Sequence, residues 1–159
     1  MAQGAQPMIS ECYGKGQSDS VKKLLRWGLN SVLVVEAVMV ALVWAFTDVF
    51  VAIFNSENNP VLLKYGHTGL QLYFLGFIFA GVNIMLVAYF SATGNARPAI
   101  IGSLMRGVIA IVICAVVLSM LLGMNGVWLS FLASEMITFI VILILSRKKQ
   151  TKFKNFSSF

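Results

Sequence analysis

Tyr89 to Arg106 reads YFSATGNARPAIIGSLMR. A polar, glycine-containing segment, SATGNAR, sits between two long apolar runs, and Pro98 opens the second of them. Proline is tolerated in the first turn of a helix because its missing N–H has no intrahelical partner there. Arg106 falls about two turns further in, counted at 3.6 residues per turn. A short polar turn between two apolar helices, with a charge inside the second, predicts two membrane spans joined by a hairpin.

Composition extends that reading to the whole chain. It has 159 residues, 58% hydrophobic and 11% charged, with a mean hydropathy of +0.85. A soluble domain carries roughly a quarter charged residues. These charges are too few to cover a water-facing surface, so the chain is read as an integral membrane protein solvated by lipid. The net charge of +6 does not point to nucleic acid, because the lysines and arginines cluster in connectors and at the C-terminus. Cys12 and Cys114 lie in different settings and form no disulfide framework or metal-ligand cluster. The N-terminal MAQGAQPMISECYGKG lacks the basic leader and apolar core of a signal peptide.

Four apolar runs, at about 31–53, 68–91, 98–121 and 127–146, approach the ~20 residues that a bilayer core requires. Lipid offers no partner to backbone polar groups, so such runs are helices. The expected architecture is all-α and polytopic, a bundle of four transmembrane helices over residues 31–146. Residues 1–30 are read as the end of a preceding helix, a loop through Gly14, Gly16, Ser18, Asp19 and Ser20, and a basic amphipathic stretch, VKKLLRWGL, lying along the membrane surface. Pro60 is read as the breaker between spans one and two, and GMNG (123–126) as a tight hairpin between three and four. Residues 147–159 form a polar, basic tail.

Lys15, Lys22, Lys23, Arg26, Arg97, Arg147, Lys148, Lys149, Lys152 and Lys154 all fall on one side of this topology, with Lys64 on the other. The chain is expected in the cell (plasma) membrane, and the positive-inside rule puts its C-terminus and the Tyr89–Pro98 turn in the cytoplasm. The sequon Asn155-Phe156-Ser157 then faces the wrong compartment for glycosylation.

The run YFSATGNARPAIIGSLMRGVIAI (89–111) followed by GMNGVWLSFLASEMI (123–137) resembles the C-terminal helices of the multidrug and toxic compound extrusion (MATE) transporters, the bacterial type most of all. The opening AQGAQPMISECYGKGQSDSVKK (2–23) resembles the end of that family's eighth helix and the loop after it. The resemblance implies a chain made of the tail of helix eight and helices nine to twelve, part of a C-lobe. The N-lobe, with its ion-coupling acids, has no counterpart here. Span two has no Asp or Glu to match a coupling acid in the tenth helix.

Ionisable groups inside a span are costly and are functional hypotheses by default. Glu36 and Arg106 lie at matching depth, roughly 10–13 Å from the cytoplasmic end at 1.5 Å per residue, and Glu135 lies near the midplane. Two readings stand. In one, Glu135 or Glu36 is a proton or cation site whose charge changes during transport. In the other, Glu36 and Arg106 form a static intramembrane ion pair, or Arg106 snorkels to the surface. Asp48 and His67 are read as interfacial. Gly69, Tyr73, Gly76, Ala80 and Asn83 on span two, and Ala99, Ser103 and Gly107 on span three, form small-residue stripes suited to helix packing. Asn83 is singled out as a candidate to line a polar cavity. Ser130, Ser134 and Thr138 make a hydroxyl stripe on span four that can bond back to its own helix. The 12 phenylalanines and 8 methionines suit a cavity for lipophilic cations and suit packing equally.

No phosphate-binding glycine loop, catalytic triad or metal constellation is present in the sequence. The chain is therefore not expected to be an enzyme or to carry a cofactor. By resemblance, the whole protein exports drugs or organic cations in exchange for Na⁺ or H⁺, which makes membrane lipid, small lipophilic or cationic drugs and a missing N-terminal lobe or second chain its partners. The chain alone is expected to be incompetent. The alternatives are a lipid-linked oligosaccharide flippase of the same superfamily, a small dimeric four-helix antiporter using Glu36, and a non-transporting membrane remnant or assembly partner.

Overall fold

A computed structural model describes residues 2–55 and 59–156, and of 147–156 the backbone alone. Every element in it is helical: α1 (Ala2–Gly14), α2 (Ser18–Ala45), α3 (Thr47–Phe54), α4 (Pro60–Ala92), α5 (Ala96–Leu104), a π-turn (Met105–Ile109), α6 (Ala110–Leu122) and α7 (Met124–Phe156). Four stretches are long and apolar enough to cross a membrane: Ser18–Ala45, Pro60–Ala92, Ala96–Leu122 and Met124–Ser146. The protein is a multi-pass, all-α membrane protein.

Several boundaries differ from the sequence reading. The loop after α1 is only Lys15–Gln17, turned by Gly16 at φ 70°. Ser18 to Ser20 begin α2 instead of extending the loop, which suits Asp19, whose carboxylate favours the positive end of the helix dipole. The basic stretch at 21–29 is thus the first part of the α2 helix. The first apolar run is not one helix, since it breaks at Phe46. The buried Thr47 hydroxyl donates to the Val43 carbonyl at 2.6 Å, bonding back across the break. Pro60 does not separate two elements but is the first residue of α4. Asn59 caps that helix, its side-chain oxygen accepting from the Val61 and Leu62 amides at 2.9 and 3.4 Å. The backbone at 147–156, read as tail, continues α7; Ser157 of the sequon lies outside the described residues.

The Tyr89–Arg106 hairpin is tight. Gly94 takes φ 67°, a conformation L side chains resist, and Thr93 ties back by donating to the Tyr89 carbonyl at 2.9 Å. Pro98 sits buried in the first turn of α5. Past Leu104 the helix widens into the π-turn, where the Ala110 N–H reaches the Met105 carbonyl five residues back. Such wide turns are rare and recur at functional sites; nothing in the sequence reading anticipated it.

α4 is the central column, with packing contacts to α1, α2, α3, α5 and α7. Lipid does not drive helices together as water does, so close approach through small residues must. Gly76 faces α7, where an added Cβ would come within 2.5 Å of the Phe131 ring and 3.2 Å of the Leu132 backbone. Gly69 lies under the Trp128 indole in the same way, and Gly81 lies against Glu36 and Val32 of α2. The α4 stripe is therefore packing. Around it Tyr73 stacks on Phe131 with centroids 4.5 Å apart, and Trp128 meets Tyr73 edge-on at 6.4 Å. On span three the stripe divides: Ala99 is buried, whereas Ser103 and Gly107 are exposed along a cavity wall. α1 closes one end of the bundle through Ile9, which packs with Val21, Met85 and Ala92.

Candidate functional site

Three spans meet at one polar cluster. α4 supplies Asn83, the π-turn supplies Arg106 and α7 supplies Glu135. Asn83 is fully buried and Glu135 is 2% exposed. The Asn83 amide donates to both the Glu135 carbonyl and its Oε2, each at 2.8 Å, so it clamps that side chain to its own backbone. Arg106 Nε donates to Glu135 Oε1 at 2.9 Å. Both carboxylate oxygens are thus engaged, one of them in an ion pair.

This corrects the expected Glu36–Arg106 pairing. Arg106 is paired with Glu135, and among the described residues Glu36 has no salt bridge. Matching depth along two helices says nothing about the direction in which a side chain leaves its helix, and Arg106 stands within the π-turn. Glu36 instead sets Oε1 against Gly81, while Oε2 is sealed from solvent with no hydrogen-bond partner among the described residues. Asn83 Oδ1 is a second sealed acceptor without a hydrogen-bond partner among the described residues.

Two cavities flank the cluster. One, of about 310 Å³, is lined by Ile84, Val87, Ser103, Arg106, Gly107, Phe131 and Glu135. Small-molecule pockets begin near 300 Å³. The other, of about 210 Å³, is lined by Glu36, Gly81, Val32, Val35, Ile84 and Ala2. Ile84 lines both, so they share a wall. Arg106 keeps a third of its side chain exposed (33%) as part of the larger cavity wall.

The other candidates fall elsewhere. His67 Nε2 lies 3.4 Å from Asp48 Oδ1 across α3 and α4; the Asp48 side chain is 92% exposed, and such surface pairs contribute little. Ser130, Ser134 and Thr138 donate to the carbonyls of Val127, Phe131 and Ser134, within their own helix. The Asn83 clamp carries a prediction: Asn83→Ala strips two hydrogen bonds from a buried carboxylate residue and is expected to cost about 2 kcal/mol. Thermal unfolding in detergent checks it; an unchanged midpoint would show that the clamp adds no stability.

The MatE family model matches residues 1–116. Among solved structures, an inward-facing multidrug resistance MATE family transporter of the MOP superfamily matches with TM-score 0.85 and 19% identity, covering 98% of this chain and 36% of that one. An outward-facing structure described in the same words gives TM-score 0.84 and 18% identity, covering 98% and 35%. A mutant of the Vibrio cholerae MATE transporter VcmN gives 0.83 and 17%, covering 96% and 34%. This chain spans about a third of the length of these transporters. No curated protein matches it.

Proposed function

The chain belongs to the MatE family, whose members are transporters and not enzymes, and from that premise we propose that it forms the ion- and substrate-handling part of a C-lobe in a multidrug efflux antiporter. The whole protein exports drugs or organic cations from the cytoplasm in exchange for Na⁺ or H⁺. The observation that carries this reading is the buried Asn83–Glu135–Arg106 cluster opening on a cavity of about 310 Å³ between three spans. A buried carboxylate held by one arginine and one amide can release the arginine and accept a cation in its place, which links a change of charge to a change of helix contacts. Similarity to both an inward-facing and an outward-facing transporter, at TM-scores of 0.85 and 0.84, supports a unit that moves as one body while a partner lobe rocks against it. Lysines and arginines at one end of the bundle support a C-terminus in the cytoplasm of a plasma-membrane protein.

The lobe that the family fold pairs with this one comes from elsewhere, whether from further residues or from a second chain. The test is accumulation of a cationic dye in efflux-deficient bacteria. The chain is expressed alone, co-expressed with a chain supplying the other lobe, and within the longest reading frame that continues upstream of Met1. Alone it is expected to match empty vector, with efflux restored in one of the other two settings. Dye levels equal to vector in all three would favour the remnant reading instead.

A further inference from the structure

Away from the helix ends, the spans hold one cation and two carboxylates: Arg106, Glu135 and Glu36. Arg106 satisfies Glu135. Among the described residues that leaves one carboxylate inside the membrane without an ion-pair partner of its own, where such a charge is costly. The group concerned is Glu36, which meets the Gly81 backbone through Oε1 and whose Oε2 is sealed with no hydrogen-bond partner among the described residues. Among the described residues the charged groups acting on it are Arg106 from the π-turn and Glu135 from α7. α4 presents the backbone of Gly81 and the apolar Ile84, and α1 presents Ala2, none of them titratable.

We infer that Glu36 is a second exchange site, occupied by a proton or a small monovalent cation while Arg106 sits on Glu135, and that Arg106 is a positioning residue shared between the two carboxylates. Its arm lines one cavity and Glu36 lines the other, with Ile84 between them. When Arg106 leaves Glu135 for Glu36, Glu36 gives up its proton or cation to its cavity. Glu135, left without its guanidinium, takes one up. The set stays neutral throughout: one guanidinium, two carboxyl groups and one exchanged cation. This inference deepens the proposed function and rests on its site. Its readout is the carboxyl group itself, so it fails or stands independently of any efflux result.

Infrared spectroscopy of the purified 159-residue chain in detergent tests it. In choline-buffered, sodium-free solution near neutral pH, the wild type is expected to show a protonated-carboxyl stretch that shifts in D₂O. Adding sodium chloride, with choline chloride as control, separates the two cations. Loss of the band with sodium alone identifies sodium as an occupant, and persistence identifies the proton. Glu36→Gln is expected to reduce the band to background, and Glu36→Asp to retain it. Glu135→Gln is expected to remove it too, because the freed Arg106 then neutralises Glu36. A wild type without the band in sodium-free buffer, a band surviving Glu36→Gln, or a band persisting in Glu135→Gln would each overturn the inference. If Glu36→Gln elutes as aggregate on gel filtration, the wild type and Glu135→Gln still decide.

Discussion

Glu135→Gln is expected to bring ion-coupled efflux by the complete transporter down to the level of cells without it. Glutamine is nearly isosteric with glutamate, so the cavity keeps its shape. It brings one oxygen and one NH₂ group to a place where both carboxylate oxygens accept, from Arg106 Nε and from the Asn83 amide. Whichever way the new amide turns, one of those donors faces another donor. Arg106 also loses its counter-charge at this position and regains one only by leaving for Glu36. Removing one partner of a buried ion pair costs 3–5 kcal/mol, and the partial exposure of Arg106 places this site at the lower end, about 3 kcal/mol. A second variant separates stability from transport. Arg106→Gln combined with Glu135→Gln removes both charges and is expected to recover much of the lost stability without recovering efflux. Unchanged drug resistance in Glu135→Gln would sink the proposed role, and efflux by the double variant would reduce the cluster to a structural device.

Gly126→Ala is the second large effect, on folding. Gly123 turns the chain between α6 and α7 at φ 60°, and three residues later Gly126 lies buried against the end of α6. A Cβ there would collide with the Leu118 carbonyl oxygen and come within 3.0 Å of the Ser119 nitrogen. These obstacles are backbone, so no side chain can swing away to relieve them. Overpacking costs typically 1–3 kcal/mol and occasionally more, and an unyielding contact puts this change at about 3 kcal/mol or above. The expected outcome is a sharp loss of monodisperse protein on gel filtration after membrane extraction. Wild-type yield and melting behaviour would show that the α6–α7 hairpin has slack the structure does not display.

Much of the architecture was readable because lipid leaves few options. An apolar run of about 20 residues has only the helix available, and GMNG is too short for anything but a hairpin. Boundaries were harder, since they depend on local polar satisfaction that hydropathy does not register. Asn59 capping makes Pro60 a beginning, and Thr47 bonding back to Val43 accompanies a break the hydropathy never shows. At the candidate site, the cost of ionisable groups in lipid drew attention to Glu36, Arg106 and Glu135, and Asn83 stood out as the polar member of a small-residue stripe. Who touches whom was not readable. Depth follows from counting residues, but partnership follows from azimuth and side-chain reach, and Arg106 stands in a π-turn that the sequence reading did not foresee. The division of the span-three stripe, with Ala99 inward and Ser103 and Gly107 on a cavity wall, escaped for the same reason.

The π-turn sets the phase of span three. Gly102, Arg106, Ala110 and Cys114 follow one another every fourth residue. Three are buried and the fourth, Arg106, reaches inward to Glu135. An α-helix advances about 100° per residue, so twelve residues of it would let this row drift by about 120° around the axis. One surplus residue in a widened turn takes up about 100° of that. Span three can thus keep a four-residue rhythm pointing at the same neighbours over its whole length. A relative without the widened turn should align to this chain with a one-residue gap between 105 and 109, and a helical wheel drawn straight through Ala96–Leu122 will put Cys114 on the wrong side.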